Sequence, residues 1–332
     1  MFDRRQFVAG LAGTSILAAP TVARAQAANW DLSTVWPDGN FHTVNAKKFA
    51  EDVKAATGGA VNITVKSGGQ LGFKGPEHLR AVRDGLVPIA DVLNIQQIGD
   101  EPILGAEGIP FLVGSVDELR IYHKYIRPVF ERVVQNNNQK NLYIVPWPTQ
   151  YLHLKVKADT LAGLAGQKVR CPDRGAQDMV NALGMTGVVI PWGETIPALA
   201  SNAVQGVSTS AVSGVDGKFW EFLKYVYPTN HVWSCQMVNV NMDAWNRLPA
   251  NHRTAIEAVA KKLEPEFWAT SVRADTDSLA RLKQGGMEVV DIPAPMMADM
   301  RRRTANMVQD YIKRVPAAKG PIEAYLAEVK RS

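Results

Sequence analysis

The chain has 332 residues, of which 46% are hydrophobic, and a formal net charge of +5 at pH 7 from 37 basic and 32 acidic residues. Three arginines and one aspartate lie in the first 25 residues, and without them the charge is +3. So small an excess of positive charge argues against nucleic acid as a partner. The remaining residues, about 307, exceed what one hydrophobic core usually serves, so two domains are expected.

The N-terminus has the layout of an export signal. Arg4 and Arg5 precede an apolar stretch from Phe7 to Ala19, and a small-residue site, Ala23-Arg24-Ala25, follows. The apolar stretch is too short to span a bilayer stably, and this order of segments is that of a secretory signal. We expect cleavage after Ala25, with Ala27 as the alternative, and a periplasmic location. The paired arginines resemble the twin-arginine signature, and the general secretory route stays open.

The first half of the mature chain alternates strand and helix patterns, which predicts a sheet covered by helices. Val61, Ile63 and Val65 alternate with polar residues, the two-residue period of a strand. Pro128 predicts an interruption or offset of a long amphipathic helix, because proline removes an amide donor. The predicted elements are strands at 30–35, 61–65, 89–93 and 142–147, and helices at 43–56, 77–84 and 117–134.

A second series of the same kind follows. Its predicted elements are strands at 167–170, 237–241 and 287–291, and helices at 177–183, 194–202, 250–283, 296–314 and 321–330. The helix at 250–283 exceeds the usual single-domain length and is expected to bridge two lobes. Pro265 predicts a kink or break within it.

Signatures of catalysis are missing from the sequence. It contains no G-x-S-x-G elbow, no H-E-x-x-H and no phosphate-binding G-x-x-x-x-G-K. The histidines lack metal-ligand spacing, and spacing alone leaves open whether Cys171 and Cys235 pair. We therefore predict no catalytic residues, no cofactor and no metal site. The six histidines are His42, His78, His123, His153, His231 and His252.

Two other features point to ligand binding. Arg170 ends a predicted strand just before Pro172, and a guanidinium offers a planar fork of donors that matches a carboxylate. The pattern alone fits an exposed strand-end arginine equally well. Five aromatic residues at predicted strand ends or loops either line a pocket or pack in the core. They are Trp36, Trp147, Tyr151, Trp192 and Trp233.

At these residues the chain resembles the periplasmic solute-binding subunit of tripartite ATP-independent periplasmic (TRAP) transporters, the DctP-like family. Ser67–Gly72 resembles the family's S-x-Q-L-G turn, and Gly108–Leu112 resembles its L-P-[FY] loop. Gly166–Pro172 resembles its G-x-K-[IV]-R-x-P segment, and Pro191–Gly206 resembles its E-x-Y-x-A-L-x-x-x-A-V-D-G run. The four segments occur in the family's order, and the resemblance extends over essentially all of the mature chain.

The resemblance implies an α/β fold of two lobes that are joined by a hinge and close around a ligand, with the long helix spanning both lobes. Lobe I is expected to comprise 26–147 plus about 236–275, and lobe II 148–235 plus about 276–332. The resemblance also implies a binding protein, not an enzyme, whose partners are a small carboxylate and the TRAP membrane subunits. Arg170 would pair with the carboxylate of the ligand.

The same resemblance implies the other site residues. Gln150 stands where sialic-acid binders of the family have a second arginine, and this loss of a cation favours a monocarboxylate. The aromatic walls suit an aromatic or apolar acid. Sugar acids stay open, as do C4-dicarboxylates through Lys74, and a ligand sensor or, least favoured, a periplasmic enzyme are alternatives. The residues expected around the ligand, besides Arg170 and Gln150, are Trp36, Phe73, Lys74, Asn94, Trp192, Thr209 and Trp233.

Overall fold

The structure is a computed structural model that describes residues 27–331. The predicted export signal at 1–25 lies outside the described residues. Two β-sheets, each covered by helices, form two lobes, which confirms the predicted α/β two-lobed fold. None of the helices between residues 27 and 331 combines the length and the apolar character needed to cross a bilayer.

The sheet of the first lobe has five strands in the order β2-β1-β3-β10-β4. Strand β1 pairs in parallel with β2 and β3, whereas β10 is antiparallel to both of its neighbours. The chain therefore returns to this lobe to insert β10 at an inner position. The strands are β1 (Ala28–Ser33), β2 (Val61–Lys66), β3 (Ile89–Leu93), β4 (Gln139–Pro146) and β10 (Cys235–Asn241).

The sheet of the second lobe has six strands in the order β11-β9-β5-β8-β6-β7. Strand β6 is parallel to β7 and β8, and β5 is antiparallel to β8 and β9. The strands of this sheet are short, with two to four residues each. They are β5 (Tyr151–Leu154), β6 (Lys168–Cys171), β7 (Thr186–Val189), β8 (Gly206–Thr209), β9 (Tyr225–Tyr227) and β11 (Glu288–Val289).

Eleven α-helices of the described residues cover the two sheets. Helix α1 begins where Asn40 caps it by accepting a hydrogen bond from His42 N at 2.9 Å, and its Phe49 and Val53 are buried in the first lobe. The helices are α1 (Phe41–Ala56), α2 (His78–Arg83), α3 (Val116–Asn136), α4 (Arg174–Ala182), α5 (Trp192–Ala200), α6 (Ala211–Asp216), α7 (Met242–Asn246), α8 (Ala250–Gln284), α9 (Ala294–Thr304), α10 (Met307–Arg314) and α11 (Lys319–Glu328).

Helix α8 spans both lobes, as predicted. Its Leu263 is buried in the core of the first lobe, and its Leu282 is buried in the core of the second. Both helices continue through their prolines, so the interruption of α3 at Pro128 and the break at Pro265 are wrong, whereas the alternative of a kink at Pro265 stays a prediction. Both prolines are exposed, so water can hydrate the carbonyl group that each one leaves without a helical donor.

The chain crosses between the lobes in two neighbouring segments, which are residues 147–150 and 228–234. We call them the crossovers. Trp147 N donates to Ser234 O at 2.8 Å, and Gln150 N donates to Val232 O at 3.0 Å. These backbone bonds make the crossovers a short two-stranded connection, the place at which a hinge between the lobes would bend.

The C-terminal segment departs from the expected lobe boundary. Helix α11 packs on α3 of the first lobe, where the ring of Tyr325 lies 5.0 Å from that of Tyr122. The Tyr325 hydroxyl donates to Leu112 O at 3.1 Å, and Ile322 is fully buried beside it. Assigning the whole segment up to residue 332 to the second lobe is therefore wrong, because this apolar helix face is buried against the first lobe.

Candidate functional site: the cleft between the lobes

Arg170 is a buried cation at the end of strand β6. In the sheet register it lies beside Val188 of β7 and Val207 of β8, so its side chain projects from the same face as theirs. Only 2% of Arg170 is exposed, and burial lowers its pKa to about 10. Its Nε donates to Ile190 O at 2.8 Å, but neither terminal nitrogen bonds to any residue in the described range 27–331. Two donor groups are thus free to bind an anion.

Asp173, three residues further on, does not neutralise this cation. Its Oδ1 accepts a hydrogen bond from Ala176 N at 3.1 Å and caps helix α4. Burial raises the pKa of Asp173 to about 6, although Arg170 acts in the opposite direction. The carboxyl group is therefore engaged by the helix terminus, and Arg170 forms no salt bridge with Asp173 or with any other described residue.

A row of aromatic side chains in mutual contact lies beside Arg170 and extends from the second lobe to the first. The guanidinium carbon lies 5.9 Å from the centroid of the Trp192 ring, within cation–π range. Trp192 begins helix α5 of the second lobe, and its ring lies 5.8 Å from Trp36 of the first. Trp36 in turn lies 4.6 Å from Trp147 in an edge-on arrangement. The indole N–H of Trp36 is buried and has no partner among residues 27–331.

The turn that follows strand β3 carries two buried polar side chains, Asn94 and Gln96, and Gln96 contacts the second lobe. Asn94 is fully buried, and its Nδ2 donates to Glu107 Oε2 at 3.0 Å while its Oδ1 has no described partner. Gln96 Nε2 donates to Pro172 O of the second lobe at 3.4 Å. Gly75 packs against the Gln96 amide so closely that a Cβ there would lie 2.1 Å from Oε1. A side chain at position 75 would therefore displace Gln96.

Three further predicted residues lie on the crossovers or beside them. Gln150 is buried, and its Nε2 donates to Pro148 O at 2.9 Å. Thr209 is buried at the end of β8, opposite Tyr151 of β5. Trp233 is partly buried against the first lobe, and its indole N–H has no partner in the described chain. Their contact with a ligand stays a prediction.

Phe73 and Lys74 occupy different environments although they are neighbours in the sequence. Phe73 packs against the core of the first lobe. Lys74 Nζ lies 2.8 Å from Glu194 Oε1 of the second lobe, with side chains 57% and 54% exposed. Sequence reasoning assigned no role to Glu194. Lys74 therefore already has an exposed carboxylate partner on the second lobe, and its contact with a ligand stays a prediction.

Asn40 and Asp216 form another contact between the lobes that the sequence did not indicate. Asn40 Nδ2 donates to Asp216 Oδ2 at 2.6 Å, in addition to capping α1 with its own oxygen. Burial raises the pKa of Asp216 to about 6. The cap was detectable as an asparagine before a helical pattern, but nothing local indicated the partner 176 residues away.

Glu107, His123 and Cys235 form a buried polar cluster in the first lobe. His123 Nε2 lies 2.6 Å from Glu107 Oε1, Cys235 Sγ lies 3.3 Å from the same nitrogen, and Cys235 N donates to Glu107 Oε2 at 2.9 Å. These are side chains that can bind metals, but both oxygens of Glu107 already accept hydrogen bonds. We therefore describe the cluster as a hydrogen-bond network. Cys235 and the buried Cys171 are both free thiols, so they do not pair.

Comparison with known proteins matches this arrangement to one class. A solved structure of DctP7, a Bordetella pertussis extracytoplasmic solute receptor binding pyroglutamic acid, superposes with a TM-score of 0.87 at 30% sequence identity, covering 90% of this chain and 99% of that one. The "Monocarboxylate 2-oxoacid-binding periplasmic protein all3028" of Nostoc sp. is 25% identical over 90% of this chain and 83% of its own length. The chain spans only 57% of the length of a third relative, y4mM of Sinorhizobium fredii, at 28% identity.

The two-lobed fold and the cleft define a periplasmic solute receptor of the TRAP type, and proteins of this type bind small carboxylates and work with membrane subunits. Residues 32–314 match the family model "Bacterial extracellular solute-binding protein, family 7", and the chain belongs to that family. Its members are periplasmic receptors, not enzymes, as the sequence predicted.

Proposed function

We propose that this chain binds a small monocarboxylate that carries a ring or a compact apolar body, in the cleft between its lobes. The observation that carries the proposal is the buried Arg170 guanidinium, whose terminal nitrogens have no partner within residues 27–331. A buried cation is unfavourable unless it is paired, and a carboxylate matches its two free donors. The ligand would supply the missing charge.

The number of cations supports a single carboxylate. By the family resemblance, Gln150 stands where sialic-acid binders have a second arginine, and Lys74 is paired with Glu194. A second ligand carboxylate in the cleft would have no equivalent partner, and a buried unpaired anion is strongly unfavourable. C4-dicarboxylates are thereby disfavoured.

The surroundings of Arg170 support a ring-bearing acid. Trp192 and Trp36 offer flat apolar faces, while the indole N–H of Trp36 and the Oδ1 of Asn94 offer a donor and an acceptor without partners in the described part of the chain. A lactam monocarboxylate such as pyroglutamate has an apolar ring, one N–H and one carbonyl, and it is our first candidate. DctP7 is described as binding pyroglutamic acid, and all3028 is named for binding 2-oxo monocarboxylates, which are our second candidate.

Binding would act through closure. The carboxylate would meet Arg170 on the second lobe, and contacts with Trp36 and Asn94 on the first lobe would then favour the closed form. A ligand shifts this equilibrium only through contacts that are better in the closed form. The closed receptor would deliver its ligand to the TRAP membrane subunits in the periplasm, after export that uses either the twin-arginine or the general secretory route.

A thermal-shift screen of the mature protein tests the proposal. The panel contains pyroglutamate, aliphatic and aromatic 2-oxo acids, galacturonate and succinate. A ligand at 100 times its Kd adds about 2.7 kcal/mol of stability, which raises the unfolding midpoint measurably. We expect midpoint shifts with monocarboxylates and none with succinate. A shift produced by succinate alone would contradict the single-cation site, and isothermal titration would then give the Kd of each hit.

A further inference from the structure

We propose that the buried Glu107 orients the Asn94 amide so that it presents a hydrogen-bond acceptor to the ligand. Glu107 is then a positioning residue, and the cleft selects acids that bring an N–H or O–H donor to Asn94. This inference rests on the proposed function, because it names a specificity rule for the same site.

The contacts that carry it belong to the buried polar cluster. Glu107 is 2% exposed, and its Oε2 accepts from Asn94 Nδ2 at 3.0 Å and from the backbone N of Cys235 at 2.9 Å. Its Oε1 lies 2.6 Å from His123 Nε2. Two nitrogen donors and the His123 ring, from three separate segments, therefore hold the carboxylate in one orientation.

An ionised carboxylate accepts hydrogen bonds and cannot donate them, whereas an amide does both. The two ends of an asparagine amide have nearly the same shape, so its orientation is determined by its hydrogen-bond partners. Facing Glu107, Asn94 must turn its NH₂ toward the carboxylate. Its Oδ1 is left buried and without a described partner.

That unpaired oxygen belongs to the loop that meets the second lobe. Asn94 directly follows strand β3, and Gln96, two residues later, donates to Pro172 O, just beyond the strand that ends with Arg170 and Cys171. A buried acceptor without a partner is unfavourable, and a ligand donor would relieve this. The N–H of a lactam ring is such a donor.

The test compares two acids that differ in one group. The analogue is 3-oxocyclopentane-1-carboxylate, used as the enantiomer whose configuration matches that of pyroglutamate. It has a CH₂ group where pyroglutamate has the ring N–H, and it retains the carboxylate and the carbonyl group. Isothermal titration at pH 7 should give a preference for the lactam of at least about tenfold, since a site built to accept a hydrogen bond rejects an analogue that lacks the donor. In Glu107→Gln the new amide can donate to Asn94, the Asn94 amide can turn, and the preference should fall below about threefold.

Matched variants separate positioning from a general loss of structure. Cys235→Ala removes a thiol from the same cluster but leaves the carboxylate and the backbone N–H, so the lactam preference should persist. Asn94→Leu removes the acceptor itself and should abolish the preference even if Glu107→Gln does not fold. Unfolding midpoints without ligand report the stability of each variant.

The outcomes are distinguishable. If the parent protein binds both acids equally, or if Asn94→Leu keeps the full preference, the inference is overturned while the proposed function stands. A folded Glu107→Gln with an unchanged preference also overturns it. If the parent protein binds neither acid, the lactam ligand proposed above fails, and this inference fails with it.

Discussion

The ammonium group of Lys74 lies 2.8 Å from the Glu194 carboxylate, and the two residues belong to opposite lobes. Both side chains of the pair are more than half exposed. Exposed ion pairs contribute little because water and salt screen them. We expect Lys74→Ala to weaken monocarboxylate binding by less than about fivefold, with a smaller effect at high salt. Isothermal titration at low and high ionic strength measures this.

The charge-swapped double variant, Lys74→Glu with Glu194→Lys, is the control for that prediction. It restores an ion pair of reversed sign across the same gap, so it should recover the affinity of the parent protein. If Lys74 bound the ligand directly, Lys74→Ala would lose thirtyfold or more and the swap would make binding worse.

Arg170 should affect ligand binding and stability in opposite directions. Arg170→Ala should lose about 2–5 kcal/mol of binding free energy, because the ligand carboxylate would be buried without its partner. Arg170→Met keeps most of the side-chain volume and removes a buried charge that no described residue pairs. Its unfolding midpoint without ligand should equal or exceed that of the parent, while the ligand-induced shift disappears.

Arg174 is the matched control for Arg170. It is an exposed arginine at the start of α4, and it bonds to Asp178. Arg174→Ala should leave the affinity within about twofold of the parent value, as expected for a surface substitution. Equal affinities for the parent protein and Arg170→Ala would show that the anchor of the carboxylate lies elsewhere.

Asn40 should contribute to closure without touching the ligand. Its Nδ2 joins Asp216 of the second lobe at 2.6 Å, while its Oδ1 caps α1. Asn40→Asp keeps a capping oxygen but places a carboxyl group against Asp216, so the closed form should be destabilised. We expect ligand affinity to fall about tenfold, with the loss mainly in a faster dissociation rate that stopped-flow fluorescence can follow. Asn40→Ser caps the helix without this repulsion and should bind more tightly than Asn40→Asp.

Asp91 should make stability depend on pH. It is 3% exposed in β3, Thr34 donates to its Oδ2 at 3.0 Å, and burial raises its pKa from the ordinary 3.8 to about 7. The folded state therefore holds a proton that the unfolded chain releases near pH 4. The contribution of Asp91 to the free energy of unfolding must decrease as pH rises from about 4 to about 7.

Asp91→Asn removes this titration. We expect the free energy of unfolding of Asp91→Asn, minus that of the parent, to be larger at pH 8 than at pH 5. Denaturant unfolding at the two pH values measures this difference. Asp117→Asn, at an exposed position on α3, should show no such difference. Parallel pH profiles for the parent and Asp91→Asn would contradict the raised pKa. Both proteins keep the buried neutral histidines such as His78, whose pKa burial lowers to about 4. The stability that these histidines lose in acid is the same in both proteins and cancels in the difference.

Sequence patterns predicted the long elements well and the short strands poorly. Strand β3 has the predicted bounds, and α8 differs from its prediction by one residue at its C-terminal end. Strands β5 and β8 were not predicted. Each has four buried residues without a two-residue period, and the buried positions include His153, Ser208 and Thr209. Strand β3 is equally buried, but four of its five residues are apolar, and a continuous apolar run is itself a signal for a buried strand.

The sequence indicated some residues of the candidate site and not others. The sequence indicated Arg170 from its place at a strand end, Trp36 and Trp192 as aromatic candidates, and Asn94 through the family resemblance. It did not indicate Glu107, because a glutamate within an apolar loop has no local signature of its partners. Asn94 and His123 lie 13 and 16 residues from it in the sequence, and Cys235 lies 128 residues away.

The sequence by itself determined the family, the alternation of helices and strands, and the side chain expected to meet a carboxylate, because these depend on local periodicity and on segments of fixed spacing. Only the tertiary structure decided that Arg170 is buried without a counter-ion among residues 27–331 and that Lys74 is paired with Glu194, 120 residues away. Burial and pairing depend on how the two lobes dock, and docking brings together residues whose separation along the chain carries no periodic signal.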